Sequence, residues 1–386
     1  MILRHLKLLD NEGFYDIEIE KEKILSVNKT SQRSGSGVYF ENALAFPGLI
    51  NSHDHLDFNL FPKLGQATYN NYTEWGREIH KSYRTEIDGI LKIPSNLRSK
   101  WGIYKNLLCG VTTVVNHGDK IKIHASPINI VQTGQSLHSV GFEKHWKWKL
   151  NNLFKLRSPC VIHSGEGIDE ASTKEIDQLI KFNLLGRDLI GIHGIAMTGK
   201  QSSHYLALVW CPQSNYFLFN NTADIKTLKK NVPVLFGTDS TLTSDWNIWD
   251  HIRTARINKS LNDAELFGSL SSEPAEIWDL NSGIIAPLRN ADLVISKNKE
   301  DHSDFDSFYS NNPEDLLMVI CNGKIQMLDV ELLKVIPENY LSVSQYSCIS
   351  FNNSQKLVPK DLVEIVNDIN KYNSGIKFPF QLKDCL

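Results

Sequence analysis

Four apolar runs in this chain stop at a side chain that can bind a metal. Leu49-Ile50 leads to His53 and His55, Cys160-Val161-Ile162 to His163, Leu189-Ile190-Gly191-Ile192 to His193, and Val234-Leu235-Phe236-Gly237-Thr238 to Asp239. Runs that are apolar throughout, with helical stretches between them, suit parallel strands buried on both faces. In a closed (β/α)8 barrel the C-terminal ends of such strands share one rim, so residues far apart in sequence converge there. His53 and His55 are two residues apart, and on a strand both imidazoles therefore face one point. Any one of these residues has an ordinary explanation: a strand-end histidine is usually just hydrogen-bonded, and Asp239 could cap the helix after Ser244. Their joint occurrence is what points to a metal site.

The remaining chain fits around that pattern. Tyr15-Asp16-Ile17-Glu18-Ile19-Glu20 alternates with period two and Lys23–Val27 follows, so the first residues read as a small β unit. After His55 a loop holding Phe58, Phe61, Lys63, Tyr69, Tyr72 and Trp75 lacks periodicity, and its length suits a cover over a site. Leu97, Trp101, Tyr104 and Leu108 recur at helical spacing, Gly110 ends the helix, and Val111–Val115 is a strand leading to His117. Ile128–Val131 reads as another strand, and the one that should follow before Cys160 is obscure. Ser172 with Glu175 has the form of a capping box ahead of a helix carrying Ile176, Leu179 and Ile180. Near the end, Pro359 followed by Leu362, Ile365, Val366 and Ile369 reads as an amphipathic helix.

Composition removes several classes. A chain of 386 residues with 41% hydrophobic and 22% charged residues is ordinary globular material. A net charge of −3 gives no basic face for a nucleic acid, and Lys144-His145-Trp146-Lys147-Trp148-Lys149 alone reads as a solvated face. Six scattered cysteines (Cys109, Cys160, Cys211, Cys321, Cys348, Cys385) without a Cys-x-x-Cys pair suit reduced thiols in a cytoplasm. The N-terminal run contains Arg4 and Lys7 and lacks a cleavage site, and no stretch is apolar enough to span a bilayer, so neither secretion nor a membrane is expected.

The motifs Pro47-Gly48-Leu49-Ile50-Asn51-Ser52-His53-Asp54-His55, Gly110-Val111-Thr112-Thr113-Val114, His163-Ser164-Gly165-Glu166, Ile192-His193-Gly194, Cys211-Pro212-Gln213-Ser214-Asn215 and Gly237-Thr238-Asp239-Ser240 resemble the amidohydrolase superfamily. Within it they are similar to the single-metal aminohydrolase branch of deaminases and s-triazine hydrolases. The resemblance implies a (β/α)8 TIM-like barrel over 47–285, a small discontinuous β-sandwich domain over 1–46 and 286–330, and a C-terminal extension over 331–386 that packs on the barrel or at a dimer contact. The interval between His117 and His163 is short for that family, so the barrel is expected to be trimmed or distorted around its third and fourth strands.

The resemblance also makes His53, His55, His163 and Asp239 ligands of one divalent metal, zinc first and ferrous iron as the alternative, with Glu166, His193 and Asp239 as catalytic groups. Imidazoles and a carboxylate suit such an ion, which lowers the pKa of a water to about 7. No lysine ends a strand where two-metal relatives carry a carboxylated one, which favours a single metal. His117 and Trp75 are candidate substrate contacts, while Trp246 and Trp249 read as core. The expected activity is hydrolysis of a carbon–nitrogen bond, foremost deamination of an amino-substituted heterocycle. The alternatives are cleavage of a cyclic amide (lactam or hydantoin type), with Lys63 or Arg77 meeting the new carboxylate, or hydrolytic removal of another leaving group at the same site, and a non-catalytic metal-binding protein, against which Glu166 speaks because a binder needs no proton shuttle. The partner is a small molecule, with a homodimer as the candidate assembly.

Overall fold

The computed structural model describes residues 1–30, 35–123, 125–299 and 302–383. The chain opens with β1 (Ile2–Leu8), β2 (Phe14–Glu20), β3 (Lys23–Lys29), β4 (Val38–Tyr39) and β5 (Ala43–Pro47). Alternation in β2 does what a half-buried strand requires: Ile17 and Ile19 are buried and Glu18 between them is not.

Eight strands follow: β6 (Leu49–Asp54), β7 (Val111–Asn116), β8 (Asn129–Val131), β9 (Gln135–Ser139), β10 (Cys160–Ser164), β11 (Leu189–His193), β12 (Ala207–Trp210) and β13 (Val234–Phe236). They form two wholly parallel sheets, β6-β7-β8 and β9-β10-β11-β12-β13. Almost every residue in them is buried, as strands covered on both faces must be. The end of β13 lies against β6, because the backbone N–H groups of Thr238 and Asp239 donate to His53 O at 3.1 and 3.0 Å. That approach requires Gly237, since a Cβ there would meet His53 Cβ and Val209 Cγ1 at 2.8 Å. At the other junction β8 runs into β9 through Gln132–Gly134. Neighbouring parallel strands need a crossover of about a dozen residues. This link is too short for one, so β8 pairs with β7 and β9 pairs with β10 instead of with each other. The strand that was obscure in the sequence is β9, and the short interval reflects two strands run end to end.

Three helices precede β7: α1 (Tyr72–Ser82), α2 (Arg84–Leu91) and α3 (Ser95–Leu108). The expected loop ends earlier than its composition suggests, because the Asn71 side chain accepts from Thr73 N and Glu74 N and places Tyr72 and Trp75 in a helix. A second correction concerns Ser172 and Glu175. Asp169 is the cap of the Glu170–Phe182 helix and accepts from Ser172 N at 2.9 Å, so Ser172 lies inside the first turn.

The chain then returns to the first sheet. β14 (Leu293–Lys297) pairs antiparallel with β5, and β15 (Leu316–Cys321) and β16 (Lys324–Asp329) continue outward. β17 (Tyr346–Phe351), β18 (Ser354–Pro359) and β19 (Gln381–Lys383) extend the same sheet through the β16–β18 pairing. Between them the Asp361–Tyr372 helix buries Leu362, Ile365, Val366 and Ile369 and packs on α3. Tyr104 OH donates to Asp361, and Trp101 meets Phe378 edge-on at 4.9 Å.

Cys109, Cys160, Cys211 and Cys321 are buried free thiols. Cys348 is disulfide-bonded, contrary to the all-reduced expectation, and Cys385 lies outside the described residues. Among the described residues no helix is long and apolar enough to cross a membrane.

Candidate metal centre

His53 lies at the end of β6, His55 just beyond it, His163 on β10, His193 at the end of β11 and Asp239 three residues past β13. The folded chain brings all five together. Ligand atoms of His53, His55 and His163 lie within 4.8 Å of one another, and Asp239 Oδ1 is 3.7 Å from Nε2 of both His53 and His55. Both ring nitrogens of His53 are buried without a hydrogen-bond partner. Unpaired buried imidazole nitrogens are costly unless something accepts their lone pairs. Burial lowers the His53 pKa to about 3, so the ring is neutral, as a ligand must be. His163 Nδ1 is 2.7 Å from His138 O, which assigns the proton to Nδ1 and leaves Nε2 free to bind. The donor set fits a divalent ion.

Asp239 is held in a left-handed backbone conformation, φ +58°, and His193 likewise at φ +72°. Such strain persists where surrounding contacts enforce it. Here Ser214 Oγ and Thr243 Oγ1 both donate to Asp239 Oδ2 at 2.8 Å, turning Oδ1 toward the imidazoles. Burial would raise this carboxyl, but His53 together with the nearby His55 and His193 outweighs it and holds Asp239 well below the usual carboxylate range. Glu166 moves the other way: burial, reinforced by Asp239, pushes it well above that range. Two carboxyls in one site are thus pushed in opposite directions. His193 Nδ1 is 2.8 Å from Asn215 Oδ1, whose amide nitrogen donates to Thr222, so the proton sits on Nδ1. His193 Nε2 faces Glu166 Oε1 at 3.6 Å as an acceptor.

A cavity of about 680 Å³ opens above this cluster, with His55, His163, Glu166 and Asp239 in its floor and Trp75 in its wall. His117 is only 3% exposed and lies beneath, its ring 4.7 Å from that of His163, with neither ring nitrogen partnered. Trp249 packs edge-on against Phe46 and Phe308, and Trp246 stacks on Phe351, so both belong to the packing. Lys63 is paired with Asp245 at 2.7 Å outside the cavity, while Arg77 stands exposed at its edge.

Sequence reasoning missed the support beneath the centre. Lys105 on α3 is 1% exposed; its Nζ donates to Asp54 Oδ2 at 3.0 Å and Asn59 Oδ1 at 2.9 Å, and reaches Thr238 Oγ1 at 3.4 Å. Asn106 donates to the same Asp54 oxygen at 2.8 Å, and Asn51 to Thr238 Oγ1 at 2.8 Å. The network joins the residue between the two histidines to the residue before Asp239. Its signal was a lysine one turn after Trp101 on the apolar stripe of a helix. The Ser214 and Asn215 contacts had a signal too, in the Cys211–Asn215 motif.

The fold is parallel α/β, with residues that could hold a metal ion gathered at strand ends. Residues 153–326 match the amidohydrolase family model. A 5'-deoxyadenosine deaminase of Methanothermobacter thermautotrophicus is 26% identical over 146 residues, 34% of each chain, so the match spans about a third of that relative. An adenosine deaminase from Xanthomonas campestris with bound zinc superposes with a TM-score of 0.68 at 15% identity, covering 97% of this chain and 98% of that one. Atrazine chlorohydrolase from Arthrobacter aurescens, complexed with zinc and atraton, gives 0.65 at 15% over 96% and 99%. Guanine deaminase from C. acetobutylicum gives 0.64 at 14% over 84% and 99%. These likenesses show a shared fold.

Proposed function

We propose that the chain is a metal-dependent hydrolase that deaminates an amino-substituted heterocycle. The observation that carries this reading is the opposed pair Asp239 and Glu166 beside three imidazoles, at the floor of one cavity. His53, His55, His163 and Asp239 would hold the ion, with zinc as the first candidate. When bound, a divalent cation lowers the pKa of a water toward neutrality so that it can attack an electrophilic carbon.

Asp239 is ionised and its Oδ1 faces inward, so it takes the proton released by the attacking water. Glu166 starts protonated and donates to the ring nitrogen next to the reacting carbon. His193, an acceptor at Nε2, stands 3.6 Å from Glu166 Oε1 and positions that carboxyl; this tautomer favours orientation over polarisation of the bond. The proton on Asp239 then passes to the amine, the carbon–nitrogen bond breaks and ammonia leaves, and the hydroxyl left on the carbon becomes a carbonyl by returning its proton to Glu166, with one water consumed in all. Cyclic amide cleavage is disfavoured because it leaves a carboxylate in the cavity: Lys63 is paired elsewhere and Arg77 sits in solvent.

The two parallel sheets are two arcs of one (β/α)8-type barrel whose third and fourth strands are fused end to end. The antiparallel sheet at its foot is a separate small domain assembled from both ends of the chain. Supporting this are the Thr238 and Asp239 bonds to His53 and the shared fold.

The test is a coupled ammonia assay on aminopurines, aminopyrimidines, pterins and aminotriazines, with chelator-treated protein as control. Release from at least one, with about one metal per chain lost in His53→Ala and Asp239→Ala, is the expected result. Silence across the panel, with a lactam or hydantoin gaining one water by mass, would replace deamination by amide hydrolysis.

A further inference from the structure

The cavity above the imidazoles is walled by hydrocarbon. Phe58 and Phe61 follow β6, Trp75 comes from α1 and Ile87 from α2, with Phe142 and Leu242 completing the wall. Several of the polar atoms that could have served a hydrophilic ligand are engaged inside the protein, and the Ser240 hydroxyl and His138 Nε2 are the exceptions among the described lining residues. Trp75 Nε1 donates to Leu64 O at 2.7 Å. Tyr72 OH donates to the Glu175 carboxylate at 3.2 Å and accepts from Gly141 N at 2.9 Å. Thr243 Oγ1 is committed to Asp239. Above the floor the ionisable side chains that face the cavity are His138, Arg77 and His80, all three in exposed positions.

A sugar entering such a space would give up water from several hydroxyls and find few partners in return. A phosphate deep in the cavity would need a cation there, and among the described residues Arg77 and His80 stand only at its exposed edge. An apolar group gains from the same surface by leaving water. We propose that the substrate is a heteroaromatic amine bearing an apolar substituent, aromatic or branched alkyl, with the amine-bearing carbon at the floor and the substituent against this wall. The inference rests on the hydrolase reading above and goes beyond it in naming the part of the substrate remote from the reaction.

The experiment compares ligands that share a reacting ring and differ in the appended group: adenine bearing benzyl, ribosyl or ribosyl phosphate, and an aminotriazine bearing isobutyl or hydroxyethyl groups. Ammonia release by the zinc-loaded protein and calorimetric binding are measured for each. In whichever ring series reacts, kcat/KM for the apolar member should exceed that of the polar one by about tenfold or more. Parity, or a preference for the ribosyl or hydroxyethyl member, overturns the inference. If no compound releases ammonia yet the apolar members bind about tenfold more tightly, the deamination reading falls and the substrate class stands. If none reacts and none binds preferentially, both fall. Leu91, the last residue of α2, lines the same cavity; it and Phe142 are 50% and 46% exposed, so Leu91→Ser and Phe142→Ser should fold and narrow the apolar preference several-fold; an unchanged preference in both overturns the assignment of the wall.

Discussion

Glu166 lies three residues past His163 and close enough to His163 and His193 to share an ion with them. Its proposed work is proton transfer, which Glu166→Gln removes while keeping the side-chain shape. Turnover should drop by about 10² to 10⁴ with metal content intact. Elemental analysis showing that the metal leaves with the carboxylate would make Glu166 a ligand. Glu175 carries a separate, structural consequence. Burial raises its carboxyl to about 7, although Val140 N and Tyr72 OH hydrogen-bond to it. A carboxyl raised on folding contributes its full stability below the unfolded value of about 4.3 and loses it as pH rises through the folded value. Urea unfolding between pH 5 and 8 should therefore show Glu175→Gln gaining on the wild type as pH increases. A constant difference would mean that Glu175 is ionised in the folded protein throughout.

At the scale of elements, α3 ties the end of β6 to the segment after β13. Its Lys105 neutralises Asp54 between the two histidines and touches Thr238 next to Asp239, and Gly102 of the same helix lies where a Cβ would meet Leu56 O at 2.2 Å. Removing one member of a buried ion pair leaves an uncompensated charge, a loss of about 3–5 kcal/mol, whereas replacing both partners can be nearly neutral. Lys105→Met should be strongly destabilising, and adding Asp54→Asn should recover much of the loss in a denaturation cycle. Additive effects of the two substitutions would show that the pair is not coupled.

For the whole molecule, the antiparallel sheet is built from both ends of the chain, and the Asp361–Tyr372 helix fastens the last part to α3. Leu362 and Ile369 are fully buried there, so Leu362→Ala and Ile369→Ala should each cost about 2–5 kcal/mol of unfolding free energy in urea titrations. Values near zero would mean that the terminal segment is not part of the cooperative fold. Helix and strand identities were legible wherever periodicity or an unbroken apolar run was long, as in α3, the Asp361–Tyr372 helix, β2, β7 and β11. β9 was not, because Gln135–Ser139 is short and mixed in polarity, and Asp169 capped a helix for which Ser172 and Glu175 offered a competing local signal. The donor types and their places at strand ends came from the sequence alone, since a period of two and apolar runs are local properties. Tertiary structure alone decided that Asp239 faces His53 and His55, that His117 lies beneath the cavity, and that Lys105 braces the site. Each of those depends on which strand ends become neighbours, and that is settled by pairing between segments up to about two hundred residues apart, which no local pattern records.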